Sequence, residues 1–176
     1  MKRGFFIVAE LTGPSRDAVL EVQRWADPKL AKDTTPHITL VGSSGVGPIP
    51  SDTPVDQLRD ELTSAAELTP PLTLKFGRPM RFMQTDIIVL PLDPHGALRA
   101  LHERIAARRL RFERARFVFS PHCTLSFFTT LTPQAERKLL RVRVDEPVTI
   151  ARMQVYLTVE PVGGRRVLDI PLGGAA

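Results

Sequence analysis

Cysteine, aromatic residues and long apolar runs are scarce in this chain of 176 residues. The single cysteine, Cys123, excludes an intramolecular disulfide, and we interpret it as a small buried apolar residue rather than a nucleophile. No apolar run approaches the roughly 18 residues of a membrane span. The run at residues 5–11 is short, contains Glu10 and lacks a cleavage site of small residues after it. No signal peptide or membrane segment is therefore predicted, and we expect a cytoplasmic location.

Histidine is also infrequent, with four residues in the chain, and none belongs to a recognisable metal-ligand spacing. His95 lies in a predicted turn and His102 in the middle of a predicted helix, so we interpret both as structural or solvent-exposed. The sequence predicts no metal site and no cofactor. The remaining two histidines, His37 and His122, have a sequence context in common.

A short motif containing these histidines occurs once in each half of the chain. Residues 36–40 read PHITL and residues 121–125 read PHCTL. Side chains alternate between the two faces of an extended strand. Each histidine therefore shares a face with the threonine two positions later, Thr39 or Thr124, while the apolar residues point the other way. Each copy offers an imidazole and a hydroxyl group on one strand face.

Such a pair of motifs suits the transfer of a phosphodiester. The reaction needs a base that takes a proton from the nucleophile and an acid that gives one to the leaving oxygen. Histidine does either at neutral pH because its ordinary pKa is near 6.5. Threonine hydroxyls on the same face are placed to donate to the non-bridging phosphate oxygens as their charge develops. We therefore predict His37 and His122 as catalytic residues, and Thr39 and Thr124 as phosphate-binding residues.

The order of predicted elements also repeats, as strand, helix, histidine strand, helix and strand. The two histidines lie about half the chain length apart, as a duplication of about residues 1–82 and 83–176 would place them. We expect one domain, 1–176, of the α+β class. It would contain two similar lobes of antiparallel sheet with flanking helices, related by a pseudo-twofold axis, with a cleft between them.

Three local features are predicted in more detail. A turn at residues 12–15 ends in Ser15 as the cap of a helix. Residues 43–54 are rich in glycine, proline and serine and are expected to form a loop that is flexible enough to close over a ligand. One strand is predicted over residues 148–159, paired with a last strand at 166–170 across a turn that contains Gly163 and Gly164.

Basic residues outnumber acidic ones, with 24 lysines and arginines against 19 aspartates and glutamates. The resulting charge suits a polyanionic partner. Several arginines precede the second motif, and a solvated helix face is the ordinary explanation. Arg114 and Arg116 lie nearest to His122 and are candidates for contact with RNA phosphates. Phe127, Phe128 and Tyr156 are candidate platforms for a nucleobase, although most aromatic residues in such a chain belong to the core.

The repeated H-x-T motif with apolar flanks resembles the signature of the two-histidine phosphoesterase superfamily, which includes the RNA 2′,3′-cyclic phosphodiesterases, also called 2′-5′ RNA ligase-like proteins. The tetrapeptides HITL at residues 37–40 and HCTL at 122–125 fit this signature without substitution. The resemblance implies a bilobal fold, with His122 as base and His37 as acid. It also implies hydrolysis of a 2′,3′-cyclic phosphate on an RNA terminus or a nucleotide to a 2′-phosphomonoester, without a cofactor.

Other interpretations stay open at this point. The same site could act on an ADP-ribose cyclic phosphate or on 2′-5′-linked oligonucleotides, with 2′-5′ ligation as the reverse reaction. A noncatalytic RNA-binding module would keep the cleft without needing both imidazoles. A ribonuclease that acts on unbroken RNA would use the 2′ hydroxyl of the substrate as its nucleophile. No membrane contact or protein partner is predicted.

Overall fold

The computed structural model describes residues 3–82, 84–158 and 164–173. Five helices and ten strands are described in these ranges. The helices are α1 (Gly13–Ala26), α2 (Pro28–Asp33), α3 (Val55–Glu67), α4 (Ala97–Ala106) and α5 (Pro133–Leu140). The strands are β1 (Gly4–Glu10), β2 (His37–Val41), β3 (Ile49–Pro50), β4 (Leu72–Leu74), β5 (Met80–Arg81), β6 (Ile88–Pro91), β7 (His122–Ser126), β8 (Val148–Ile150), β9 (Arg152–Thr158) and β10 (Arg165–Pro171).

A single antiparallel sheet joins strands from both halves of the chain, in the order β10-β9-β1-β2-β7-β6-β5, with β3 paired to β1. Strands β4 and β8 form a separate two-stranded sheet, which also combines one strand from each half. The predicted α+β class with antiparallel sheet and flanking helices is confirmed. The two histidine strands, β2 and β7, are neighbours at the centre of the large sheet and pair at Ile38 and Cys123.

The two halves repeat the same strand register on either side of this central pair. In the first half Glu10 pairs with His37 and Val8 with Thr39. In the second half, the residues that pair with His122 and Thr124 are Pro91 and Val89. An irregularity in the ladder follows at the same place in both, between Ile7 and Val8 and between Ile88 and Val89. The two histidine strands therefore have equivalent strand pairings on their outer sides.

Each half also contributes a helix that bonds to the histidine strand of the other half. Gln23 of α1 donates from Nε2 to the carbonyl of Thr124 at 2.8 Å. His102 of α4 donates from Nδ1 to the carbonyl of Leu40 at 2.7 Å. Both side chains are buried, so these bonds satisfy polar groups that would be costly to leave unpaired. This exchange ties the two halves to each other at the central strands.

The core lies on the sheet face opposite to His37 and His122. The alternate residues of the central strands, Ile38, Leu40, Cys123 and Leu125, are completely buried there. They belong to one cluster with apolar residues of α3 and α4, namely Leu58, Leu62, Leu98, Leu101 and Ile105. Burial of each such side chain stabilises the fold by about 1.5–3 kcal/mol. The same alternation that builds the core therefore leaves both H-x-T pairs on the other face.

Cys123 is packed in this core, as interpreted from the sequence. Its burial raises the pKa of the thiol to about 12, so the thiol stays protonated at neutral pH and is a poor nucleophile. His102 is also structural, since it is buried and its ring stacks on Phe119 at 4.0 Å between centroids. His95 is exposed.

Three predicted boundaries need correction. Helix α1 begins at Gly13 with Thr12 as its cap residue, so Ser15 lies inside the helix. The strand predicted over 148–159 is two strands, because β8 pairs with β4 whereas β9 pairs with β1 and β10. The predicted pairing of the last two strands is confirmed, while Val159 and Gly163 of that prediction lie outside the described residues.

The third correction concerns residues 43–54, which form the predicted loop except at β3 but are attached to the rest of the sheet. They contain β3, which pairs with β1, and Ile49 is completely buried. Gly45 and Gly47 donate backbone hydrogen bonds at 2.9 Å to the carbonyls of Phe117 and Glu113. A segment held at so many points is a fixed wall rather than a lid.

In the part of the chain that the structure describes, we find no helix with the length and apolarity needed to cross a bilayer.

Candidate functional site

The two H-x-T pairs face each other across the central strands. Because Ile38 pairs with Cys123 in antiparallel orientation, the neighbouring register places His37 opposite Thr124 and Thr39 opposite His122. The two histidines are then diagonal neighbours on one face, with about 7–8 Å between them. This spacing admits a phosphate group between the imidazoles, with one hydroxyl beside each ring. The predicted residues His37, Thr39, His122 and Thr124 are thus brought together.

Both imidazoles are oriented by the same local contact. The Nδ1 atom of His37 lies 2.8 Å from the carbonyl oxygen of Thr35, and Nδ1 of His122 lies 2.6 Å from that of Ser120. A carbonyl only accepts, so Nδ1 carries the proton and donates it in both rings. The Nε2 atom of each ring therefore points away from the backbone and is free to accept or donate a proton at a ligand. Each proline before a histidine favours the extended backbone that makes this contact possible.

The two imidazoles titrate below the ordinary pKa of histidine. Burial lowers the pKa of His37, although the Thr35 carbonyl and the Glu10 carboxylate both act to raise it. Burial also lowers the pKa of His122, the Ser120 carbonyl opposes this effect, and the charge of His37 lowers the pKa further. The effect of the His37 charge on His122 agrees with their diagonal placement on the two central strands. Such a pair favours states in which one ring is protonated and the other is neutral.

The strand neighbours of the two histidines differ, which breaks the symmetry of the site. Glu10 occupies the position beside His37, and the equivalent neighbour of His122 is Pro91. The Glu10 carboxylate accepts a hydrogen bond from the Tyr156 hydroxyl and lies 3.8 Å from the Arg166 guanidinium. A carboxylate favours an imidazolium beside it, whereas a proline does not. His37 is therefore the better placed of the two to hold a proton.

An aromatic ring also contacts His122. The ring of Phe82 meets His122 edge to face, with 5.0 Å between centroids and 89° between planes. This apolar contact excludes water from one side of the ring and disfavours the imidazolium. Neither Glu10 nor Phe82 was predicted as a site residue. Glu10 is an unusual acidic residue at the end of an apolar strand, and this was the available signal, whereas nothing in the sequence singles out Phe82.

A small pocket of about 130 Å³ adjoins His37 on the side of Glu10. Its lining includes Glu10, Asp33, Thr35 and Tyr156. Tyr156, which was predicted as a platform for a base, is thus placed beside His37. Burial and the hydrogen bond to Glu10 raise the pKa of Tyr156 to about 12, so its hydroxyl remains a donor at neutral pH. The flank of the site at His37 therefore holds two carboxylates, which are paired with Arg166 and Lys29.

The other predicted contact residues lie further from the imidazoles. Phe128 follows β7, is partly exposed, and has the ammonium of Lys29 4.4 Å from its ring centroid. Its neighbour Phe127 meets it edge to face. Arg114 and Arg116 are exposed and form no ion pair or hydrogen bond among the described residues. No direct contact of Phe128, Arg114 or Arg116 with either histidine is found among the described residues.

A buried carboxylate fixes the far end of the second histidine strand. Asp27, at the junction of α1 and α2, is completely buried and accepts hydrogen bonds from the backbone N–H groups of Leu30, Phe127 and Phe128 at 2.6–3.1 Å. Burial raises its pKa, but the backbone donors outweigh this effect and hold the pKa below its ordinary value. The ionised Asp27 thereby anchors β7 to the helices of the first half.

No group of three or more histidine, cysteine, aspartate or glutamate residues is arranged to hold a metal ion within residues 3–82, 84–158 and 164–173. The candidate site instead consists of two imidazoles and two hydroxyls on adjacent central strands of an antiparallel sheet. Fold and site together define a protein of the two-histidine phosphoesterase type.

The comparison with known proteins agrees with this class. A family model described as the 2′-5′ RNA ligase superfamily matches residues 14–160, and the chain belongs to this superfamily. The family is one of phosphoester-acting, RNA ligase-like enzymes. No curated protein gives a significant match by sequence.

Several solved structures share the fold. The protein TT0787 of Thermus thermophilus is 16% identical with a TM-score of 0.65, covering 99% of this chain and 100% of that one. E. coli LigT complexed with 3′-AMP is 15% identical with a TM-score of 0.57, covering 98% and 99%. The same E. coli protein complexed with NADP+ is 14% identical with a TM-score of 0.57, covering 97% and 98%. At these identities the likeness concerns the fold.

Proposed function

We propose that the protein is a cyclic phosphodiesterase that hydrolyses the 2′,3′-cyclic phosphate of an RNA end or a nucleotide to a 2′-phosphomonoester. The observation that carries this proposal is the crossed pairing of the two H-x-T strands, with His37 opposite Thr124 and His122 opposite Thr39. Membership of the superfamily supports a phosphoester substrate. The crystal structures of E. coli LigT with 3′-AMP, NADP+ and ATP support a ligand of nucleotide size.

In the proposed reaction, Nε2 of His122 accepts a proton from a water molecule, and the water oxygen bonds to phosphorus. The bond between phosphorus and the 3′ oxygen breaks on the opposite side, and Nε2 of His37 donates its proton to that oxygen. The products are a 2′-phosphomonoester and a free 3′ hydroxyl. Proton exchange with solvent then returns His122 to the neutral form and His37 to the protonated form.

The environment of each histidine supports this division of roles. Glu10 beside His37 favours the protonated acid, while Phe82 and the charge of His37 favour a neutral base at His122. The hydroxyls of Thr39 and Thr124 make no hydrogen bond within the described residues and lie on the same face as the imidazoles. They would donate to the non-bridging oxygens, whose negative charge grows in the transition state.

The test is hydrolysis of the four 2′,3′-cyclic nucleotides and of a short RNA with a cyclic phosphate end, with EDTA present. His37→Ala and His122→Ala should each lower turnover by about 10²–10⁴-fold, while His95→Ala, at an exposed histidine outside the site, should behave as wild type. Phosphorus NMR should identify the 2′-phosphomonoester. Turnover of ADP-ribose cyclic phosphate or of 2′-5′-linked RNA, with no turnover of cyclic nucleotides, would show that the protein acts on one of those substrates instead.

A noncatalytic RNA-binding protein would give a different set of results. Wild type would turn over none of these substrates, and the His37→Ala, His122→Ala double variant would bind RNA as tightly as wild type. Cleavage of internal linkages in unbroken RNA, seen on a gel, would instead indicate a ribonuclease. Either result would contradict the proposed function.

A further inference from the structure

The segment that leads into the second histidine strand exposes apolar side chains to an unusual degree. Phe117 is 66% exposed and Val118 is 85% exposed, more than any other large apolar residue that the structure describes. Arg114 and Arg116 precede them and are exposed as well. We call these four residues the Arg–Phe segment. Exposed apolar side chains do not stabilise the fold, and adjacent ones at the surface indicate a contact with a ligand or partner rather than a role in the core.

The exposure does not arise from a loose backbone. Gly45 N–H donates to the Phe117 carbonyl, Gly47 N–H to the Glu113 carbonyl, and Glu113 N–H to the Pro48 carbonyl, each at 2.9 Å. The approach is so close that a side-chain carbon at Gly47 would lie 2.5 Å from the Glu113 carbonyl oxygen. The segment is therefore held in place with its aromatic ring directed outward, which keeps the entropy cost of binding low.

The arginines of this segment differ from Arg108 and Arg111, which precede them in the chain. Arg108 pairs with Glu61 at 2.9 Å, and Arg111 pairs with Asp52 at 2.8 Å. Arg114 and Arg116 have no ion pair or hydrogen bond among the described residues. Two unpaired guanidinium groups beside an exposed ring combine the phosphate contacts and the stacking surface by which proteins hold single-stranded nucleic acid.

The charges at the two ends of the site differ, and this difference indicates the end at which an RNA strand would bind. The end at His37 carries the carboxylates of Glu10 and Asp33, whose charges are balanced by Arg166 and Lys29, whereas Arg114 and Arg116 have no ion pair among the described residues. The other end contains His122, whose Nδ1 donates to the carbonyl of Ser120. Phe117 is five residues from His122 along the chain and hence at most about 17 Å away. A polyanion is therefore favoured at the His122 end, within reach of a nucleic acid strand that ends at the site.

We propose that the Arg–Phe segment binds the single-stranded RNA that precedes the terminal cyclic phosphate. Phe117 stacks on a base, and Arg114 and Arg116 contact the phosphates on either side of it. This inference rests on the proposed function and narrows its substrate class to oligonucleotides rather than mononucleotides. A protein partner is less compatible with the segment, because its apolar patch is formed by two residues and is flanked by unpaired charge.

The experiment compares kcat/KM for 2′,3′-cyclic AMP and for an RNA of about ten nucleotides with a cyclic phosphate end. Phe117→Ala should lower kcat/KM for the RNA about tenfold, since a stacked base contributes that much. The Arg114→Ala, Arg116→Ala double variant should lower it by about the same factor, because two phosphate contacts are lost. Both should leave cyclic AMP hydrolysis unchanged. Phe117→Trp keeps a stacking surface and should keep the RNA activity.

Controls and the salt dependence separate the possible outcomes. Leu68→Ala and Arg59→Ala remove an exposed leucine and a surface arginine at α3, against the opposite face of the sheet, and should change neither substrate. The arginine double variant should reduce the slope of log kcat/KM against log salt by about 1.4 for the RNA, since each phosphate contact contributes about 0.7.

Equal loss on both substrates, or wild-type RNA activity in all Arg–Phe variants, would overturn this inference. So would a concentration-dependent dimer that Phe117→Ala abolishes without an effect on the RNA, which would identify the segment as a protein contact. The proposed function would survive each of these results, because it depends on the loss of cyclic AMP hydrolysis in His37→Ala and His122→Ala.

Discussion

Replacing Glu10 with glutamine tests the asymmetry between the two histidines. Directly opposite side chains on antiparallel strands are about 5 Å apart. At this distance and an effective dielectric constant of about 20, two unit charges interact by about 3 kcal/mol, equivalent to about two pKa units. The Tyr156 hydroxyl and the Arg166 guanidinium share the same carboxylate and weaken its field at His37. We therefore expect Glu10→Gln to lower the pKa of His37 by about one unit.

The assay is the pH profile of kcat/KM on 2′,3′-cyclic AMP. The acid must be protonated and the base neutral, so the profile is bell-shaped. Loss of a negative charge makes the His37 imidazolium less stable, and the basic limb should therefore move about one unit toward lower pH while the acidic limb stays. Glu21→Gln, at an exposed position of α1, is the matched control. An unmoved basic limb, or movement of the acidic limb instead, would refute the reasoning that makes His37 the acid.

Three further predictions concern stability. Asp27→Ala leaves the N–H groups of Leu30, Phe127 and Phe128 without their acceptor and should lower the free energy of unfolding by about 3 kcal/mol in urea titrations at neutral pH. An unchanged midpoint would contradict the role of Asp27 as an anchor. Burial lowers the pKa values of His37, His102 and His122 below those of the unfolded chain, so the unfolded chain binds more protons below about pH 6.5. The urea midpoint should therefore fall as the pH is lowered from 7.5 through that value toward the folded pKa values. A midpoint that rises over this range would contradict the prediction. Gly45→Ala places a carbon 2.1 Å from Nε2 of His102 at a backbone φ of +75° and should cost about 2 kcal/mol or more, measured by thermal unfolding; Gly13→Ala, which has φ +59° but open space around it, separates the backbone strain from the clash.

The H-x-T pairs could be predicted from the sequence because strand alternation is a local property. Residues two positions apart share a face whatever the strand pairs with, so His37 with Thr39 and His122 with Thr124 follow from the motif itself. The element order of the two halves is likewise readable from apolar periodicity. These local patterns account for the correct fold class and for the central histidine strands.

The neighbours of the histidines could not be predicted in the same way. Glu10 reaches His37 through strand register, and Phe82 reaches His122 from the segment after β5, so each contact depends on tertiary pairing that no local pattern encodes. The break between β8 and β9 has a similar origin. Residues on the two sides of Ala151 pair with strands of different sheets, although their sequence is typical of one continuous strand.

The attachment of residues 43–54 to the sheet was not predicted, because their glycines were interpreted as a sign of mobility, whereas in the structure they allow close packing. Gly45 and Gly47 occupy places where a side chain would collide with His102 or with the Glu113 backbone. Composition rich in glycine and proline is compatible with either use, and only the contacts of Ile49 and β3 with the sheet distinguish them.

The most direct test of the central claim measures kcat on 2′,3′-cyclic AMP for His37→Ala, His122→Ala and the double variant, with EDTA present. If the two imidazoles act on one phosphodiester, each single variant should lose about 10²–10⁴-fold, and the double variant should lose much less than the product of the two losses. A single variant that keeps the wild-type kcat would contradict the two-histidine site.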